Sequence, residues 1–327
     1  MGATVGTLYT SIFGCTTPAA EEAASACEPT VNQTMGPFHP NKDQQDKDFD
    51  LTSFNGSDAQ PQGEPIYVRG KVTDENCNPI PGAVVMLWQA NTHGKYSHEY
   101  DHSSAEYDPN FQGWGQVTTN EKGEYGFKTI KPGAYPLSEG SADYRTPHIH
   151  FKFSRRGYHE LITQLYFEGE ELNETDVLLG GLNAEEKAQV VRPKTTGAED
   201  IEDGASLVTF DVVLENAKDN STENRLKELS GKYSVDIEPH EMKEELSQFY
   251  GGQREELTLT ITTENGLLYA EMPIQPKCEV KPIGDNVYAY LAFEADIHFQ
   301  QDDNGKVTGL QLKRYYEFPT LSAEKIN

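Results

Sequence analysis

The sequence predicts an all-β protein in two parts, a β-sandwich followed by a smaller up-and-down β domain. Three observations predict this. Short runs rich in Val, Ile, Thr, Tyr and Phe recur along the chain, and Gly, Pro, Asn and Asp punctuate them at turns. One polar stretch without apolar periodicity, AKDNSTEN, interrupts the series. At 327 residues the chain is also long enough for two cores.

The elements follow in order. Residues 1–32 stand apart: an apolar stretch ends at Ile12-Phe13-Gly14-Cys15, and a small-residue, acidic tether follows. This segment resembles a bacterial lipoprotein signal with Cys15 as the lipidated residue, although no Lys or Arg precedes the apolar stretch. The expectation is an exported protein, periplasmic or held at the cell surface by a lipid on Cys15, with a cytoplasmic chain carrying a disordered tail as the alternative. Removing Cys15 leaves Cys27, Cys77 and Cys278. A Cys27–Cys77 bridge would tie the tether to the first domain, but spacing alone does not select that pair.

The sandwich is expected over residues 33–215. PIYVRGKVTD leads through the turn ENCNPIPG into AVVMLWQA; GWGQVTTN and EYGFKTI flank NEKG; HIHFKFS and ELITQLYFEG flank RRGY; LVTFDVVLE is the last strand. Between Asn173 and Ser206, AEEKAQVV predicts a short helix. A linker spans 216–224 and the second domain 225–327. There a short helix is expected around His240 to Phe249, LTLTITT and LLYAEMP are joined by Glu264-Asn265-Gly266, and VYAYLAFEADIHFQ reads as one strand joined by Asp302 to Lys306 to VTGLQLKRYYEF.

A formal net charge of −26 repels phosphate backbones and anionic membrane surfaces, so nucleic acid is not an expected partner. No apolar run reaches the roughly 18 residues of a membrane span. Membrane contact is expected only through the lipid at Cys15.

The chemistry starts at RTPHIHF, Arg145 to Phe151. In a strand His148 and His150 project to the same face while Ile149 and Phe151 face the other way, which is a chelate geometry. Alone, such a pair is a weak signal. Two tyrosines in Gly-punctuated turns strengthen it: Tyr96 in NTHGKYSHEYD and Tyr135 in TIKPGAYPL. A phenolate ligand at neutral pH needs a hard, highly charged cation such as Fe³⁺, since the free phenol has a pKa of about 10.

These residues sit in ordered runs, QTMGPFHP, GKVTDENCNPIPGAVVMLWQANTHGKY, DPNFQGWGQVTTNEKGEYGFKTIKPGAYP, RTPHIHFKF and LITQLYFEGEE. The stretch from Gln33 to Glu171 thereby resembles the intradiol ring-cleavage dioxygenases of the protocatechuate and catechol type. The resemblance implies one non-haem Fe(III) per chain, held by Tyr96, Tyr135, His148 and His150. It implies that Tyr135 is the ligand that leaves to take a proton, that Arg145 steadies anionic intermediates, and that Gln164 lies on the oxygen side. Gly36, Pro37, Trp88 and Leu137 fall at the substrate pocket. The implied reaction opens a catechol-type diol between its hydroxylated carbons with O₂, giving a muconate-type diacid.

Departures limit the carry-over. Leu137 stands where relatives often have an aromatic residue, His39 replaces the aromatic common after GPF, and no residue maps onto the carboxylate-binding arginine of protocatechuate-type enzymes. The helical dimerisation region of catechol-type enzymes has no counterpart; a homo-oligomer is among the expected partners. The particular diol is unassigned. His98 and His102 read as a solvated loop, and His93, His159, His240 and His298 as structural.

Two rival readings remain. GKVTDENCNPIPGAVVMLW alone would fit a non-catalytic prealbumin-like binding module, and HxH alone would fit a zinc or cupin-like site. The last hundred residues resemble a small lipocalin-like β domain through patterns such as DDNGKVTGLQL. It is expected to be dispensable for ring cleavage, because every residue mapped to chemistry precedes Asp176.

Overall fold

The computed structural model describes residues 27–54, 56–57, 59–138, 140–217, 223–237, 243, 256–273, 275–315 and 319–326. Cys15, the helix expected at 240–249 and residues 218–222 of the linker lie outside these, apart from Lys243.

The first half contains twelve described strands: β1 (Pro65–Asp74), β2 (Val84–Trp88), β3 (Trp114–Thr118), β4 (Glu124–Ile130), β5 (Tyr135–Pro136), β6 (Tyr144–Arg145), β7 (His148–Ser154), β8 (Leu161–Phe167), β9 (Val191–Arg192), β10 (Lys194–Thr196), β11 (Ser206–Thr209) and β12 (Val212–Leu214). One sheet runs β10-β11-β1-β12 with β4 also paired to β1, and the other runs β3-β2-β7-β8-β9. Between them lies a dry core that includes Val68, Val72, Leu87, Phe127, Ile149, Phe151, Phe153, Leu165 and Phe210. The sequence alternation is thus realised in β7: Ile149, Phe151 and Phe153 fill the sandwich, and His148 and His150 occupy the opposite face.

One expected strand is two. LVTFDVVLE breaks between β11 and β12, both of which run parallel to β1. The break lies at Phe210-Asp211, where the chain passes over Gly70; a β-carbon on Gly70 would overlap the Phe210 carbonyl. That carbonyl accepts a hydrogen bond from the buried Tyr125 hydroxyl at 2.6 Å, which fixes the kink. After β8 come two short helices, α1 (Val177–Gly180) and α2 (Ala184–Val190). The second is the one expected at AEEKAQVV, and it begins with an Asn183–Glu186 capping box.

After α3 (Glu223–Leu229), the second half is a meander of β13 (Gly231–Val235), β14 (Leu257–Glu264), β15 (Leu267–Met272), β16 (Gln275–Glu279), β17 (Lys281–Gly284), β18 (Val287–Tyr290), β19 (Ala295–Gln301), β20 (Val307–Arg314) and β21 (Leu321–Lys325). The order β16-β15-β14-β13-β21-β20-β19-β18-β17 is up-and-down, with the first and last strands paired. The free edges, β16 and β17, are separated in sequence by Val280 alone, so the sheet is a nearly closed barrel. Inside it are Tyr233, Leu259, Ala270, Tyr290, Ile297, Leu310 and Leu312. The Asn265-Gly266 turn forms as expected, with both residues left-handed. VYAYLAFEADIHFQ, however, is not one strand: a turn at Leu291–Glu294 separates β18 from β19, and Glu294 sits at φ 51°.

Cys27 and Cys77 are disulfide-bonded, closing a sequence separation of 50 residues. The halves are joined by an apolar cluster that runs from Met35, Trp88, Tyr96 and Ile162 into the barrel interior. Polar ties reinforce it. His159 Nδ1 lies 2.5 Å from Glu279 Oε1, the Glu160 and Glu279 backbone N–H groups donate reciprocally to each other's carboxylates at 2.6 and 2.9 Å, and Lys281 pairs with Glu215.

Candidate metal centre

The outer face of the β2-β7-β8 sheet carries the site. His148 and His150 are each 2% exposed, and their Nε2 atoms are 3.2 Å apart. His148 Nδ1 lies 2.7 Å from the Thr146 carbonyl, so Nδ1–H donates there and the Nε2 lone pair faces inward. His150 stacks on Trp88, its cross-strand partner, at 4.9 Å and 8°, and its Nδ1 has no hydrogen-bond partner.

Tyr135 arrives on β5, which pairs residue for residue with β6, so Tyr135 stands opposite Arg145. Its hydroxyl is 3.3 Å from His148 Nε2. Tyr96 follows a turn organised by Asn91, whose side-chain oxygen accepts from the N–H groups of His93 and Lys95. Gly94 in that turn has φ 79°, and a β-carbon there would overlap the Ala134 carbonyl. Glycine therefore lets the Tyr96 loop close onto the Tyr135 loop. The two phenol rings meet edge-on at 5.5 Å, and the buried Tyr96 hydroxyl has the Tyr135 hydroxyl as its polar neighbour.

Burial, reinforced by the neighbouring Arg145, holds both imidazoles well below their ordinary pKa, so they are neutral and carry lone pairs. Burial likewise raises both phenols, Tyr96 further under the influence of Tyr135. Two buried imidazoles, the buried Tyr96 phenol and the half-buried Tyr135 phenol thus gather at one place. Among the described residues no group of three His, Cys, Asp or Glu side chains is placed to hold a metal. A hard trivalent cation fits the two phenols and two imidazoles: it would turn the phenols into anions and take up their lone pairs.

The remaining expected residues take distinct places. Arg145 is buried; its Nε donates to Asp176 at 2.9 Å and its Nη2 to Gln164 Oε1 at 2.7 Å. Gly36 lies against His150, since a β-carbon there would come within 3.2 Å of His150 Cε1. Pro37 is half-buried beside it, and Leu137 is 41% exposed at the rim. His39 packs edge-on to Trp88 and is pushed down to about 3 by burial. His98 does not join the cluster: its Nε2 meets the His39 carbonyl at 3.1 Å.

Sequence reasoning missed three supporting residues. Asp176 accepts from Arg145 Nε and Thr146 N through one oxygen, and from Leu178 N and Leu179 N through the other. Its only sequence signal was an acidic residue before the apolar run VLLG, an N-cap pattern. Tyr166, two residues after Gln164 on β8, donates to Gln33 Oε1 at 2.8 Å. Gln33 in turn donates to the Gln164 carbonyl at 3.1 Å.

A β-sandwich bearing two phenols and two imidazoles beside a fixed guanidinium has the donor set of an oxygenase site. Comparison with known proteins narrows it. The family described as Dioxygenase matches residues 35–216. The chain is 38% identical to the protocatechuate 3,4-dioxygenase beta chain of Burkholderia cepacia over 169 residues, covering 51% of this chain and 71% of that one. It is 34% identical to catechol 1,2-dioxygenase of Candida albicans over 151 residues, covering 42% of this chain and 46% of that one. Among solved structures, the dioxygenase domain of a dioxygenase carbohydrate-binding fusion from Streptomyces sp. SirexAA-E aligns with a TM-score of 0.43 and 29% identity, covering 58% of this chain and all of that one. The chain belongs to the intradiol ring-cleavage dioxygenase family.

Proposed function

We propose that this chain is a non-haem Fe(III) intradiol dioxygenase with Tyr96, Tyr135, His148 and His150 as its ligands, one iron per chain, cleaving a catechol-type diol with O₂ to a muconate-type diacid. One observation carries the reading: Tyr135 Oη and His150 Nε2 both lie within 3.3 Å of His148 Nε2, and the buried Tyr96 ring meets that of Tyr135 edge-on at 5.5 Å. When bound, ferric iron supplies the positive charge that lowers phenolic pKa values and draws electron density from the diol.

The chain's own groups supply the rest. Tyr96 is enclosed and stays in place, whereas Tyr135 is only partly buried on a two-residue strand at the rim and can swing out to take a substrate proton at Oη. Arg145 needs no reorganisation, because Asp176 and Gln164 fix two edges of its guanidinium; it faces the negative charge that builds during ring opening. The Gln164 amide is oriented by Arg145 on its oxygen and by the Thr34 carbonyl on its nitrogen, at 2.7 and 3.1 Å. Phe38 packs at 4.7 Å on Tyr96 and, with Trp88 behind His150, keeps water from the ligands.

Export is part of the proposal. The Cys27–Cys77 bridge supports an oxidising compartment, and Cys15 would supply a lipid anchor. The test of function is oxygen uptake by iron-loaded protein against catechol, protocatechuate and hydroxyquinol. Uptake with one of them, and a red-brown colour from phenolate-to-iron charge transfer, is the expected result. Ferric protein that consumes oxygen with no diol at all refutes the reading.

A further inference from the structure

Among the described residues, the barrel half reaches the site through the Leu291–Glu294 turn. The Leu291–Glu294 turn meets the segment Gln33–Gly36, which lies between the barrel and the metal centre. Met35 N donates to the Leu291 carbonyl at 3.2 Å, and Thr34 Oγ1 donates to Glu294 Oε1 at 2.6 Å. Glu294 holds this contact in a left-handed backbone conformation, φ 51°, that a residue with a β-carbon adopts only under local constraint. Its own carbonyl accepts from Tyr315 N at 2.7 Å, so the turn is braced from behind.

The segment reaches the site at three points. The Thr34 carbonyl accepts from Gln164 Nε2 at 3.1 Å. The Gln33 side chain joins Tyr166 to the Gln164 backbone. Gly36 abuts His150. The first point has a directional consequence. With Gln164 Nε2 held by Thr34, its Oε1 must face Arg145; a flipped amide would set NH₂ against guanidinium.

We propose that the Leu291–Glu294 turn is a positioning device for the active site: by gripping Thr34 and Met35 it fixes the orientation of the Gln164 amide and, through it, Arg145. Glu294 is the positioning residue. The barrel is then part of the catalytic unit and not a dispensable appendage. This rests on the reading of Arg145 and Gln164 as reaction-chamber residues.

The test uses the full chain with Glu294→Gly and Glu294→Gln. Glycine removes the carboxylate but suits the left-handed backbone, so the fold is retained and the melting temperature holds or rises. Glutamine keeps an acceptor oxygen for Thr34. In metal-free protein, hydrogen exchange at Met35 is expected to speed up about tenfold in Glu294→Gly and to stay native in Glu294→Gln. In iron-loaded protein, Glu294→Gly is expected to lower kcat roughly 10- to 100-fold with KM within about twofold and iron content unchanged, and Glu294→Gln to restore turnover. Native exchange in Glu294→Gly overturns the contact. Faster exchange with native kcat overturns the catalytic role and leaves only a tie between the halves. A wild-type chain that cleaves no diol sinks the reading of the site, and the exchange experiment then decides the contact by itself.

Discussion

Asp176→Asn is the most informative single change in the first half. Each carboxylate oxygen of Asp176 accepts from two donors: Leu178 N and Leu179 N at 3.0 and 2.9 Å on one, Arg145 Nε and Thr146 N at 2.9 and 2.8 Å on the other. An amide has one oxygen and one NH₂, so it can serve only one side and presents a donor to donors on the other. The cheaper orientation keeps Arg145 and Thr146 and gives up the helix cap, at a cost of about 1 kcal/mol. It also replaces a charged acceptor for a buried guanidinium by a neutral one, worth about 1.5–3 kcal/mol. The sum is ~3 kcal/mol, short of the 3–5 kcal/mol or so for a wholly unpaired buried partner. Urea unfolding of metal-free protein, followed by tryptophan fluorescence, reads it cleanly, because the two tryptophans, Trp88 and Trp114, both lie in the sandwich. Turnover should fall as well, since the Thr146 peptide that Asp176 holds also fixes the His148 tautomer. A midpoint shift equivalent to less than about 0.5 kcal/mol, with native turnover, refutes the reasoning.

Tyr96→Phe and His148→Ala should each abolish bound iron and colour, whereas Leu137→Trp should change diol preference with the metal retained; iron analysis and uptake assays separate the two outcomes. Cys27→Ser should lower unfolding free energy by about 2–4 kcal/mol, given the 50-residue separation the bridge closes, and added reductant should reproduce the loss in wild type. Burial pushes the Cys278 thiol up to about 12, so the native protein should resist a thiol-specific reagent at pH 8, where a free cysteine reacts; reactivity should appear only on unfolding or as pH climbs toward that value.

The four proposed ligands were picked out by the ordered runs that carry the family resemblance; locally, an HxH in a strand and two tyrosines in glycine-shaped turns are each weak signals. Their supports were not picked out. Asp176 comes from a helix cap 31 residues beyond Arg145, and nothing local says which buried charge a cap will also meet. The turn at Leu291–Glu294 escaped notice because LAFE contains no Gly, Pro, Asn or Asp; tertiary contacts, not local preference, force Glu294 left-handed. The parallel pairing of β11 and β12 with β1 was hidden too, since the alternation of apolar residues fixes which face is buried but not which neighbour a strand takes.

Strand β7 places two independent inscriptions on one ribbon. Its odd positions, Ile149, Phe151 and Phe153, belong to the sandwich interior, and its even positions 148 and 150 to the proposed metal centre. Point changes on one face can therefore be explored with little effect on the other, so the donor set is open to redesign without remaking the core. Inserting or deleting a single residue within β7 is another matter. It would exchange the two faces at once, driving imidazoles into the hydrocarbon interior and phenylalanines toward the proposed iron site, and neither half of the inscription could survive alone.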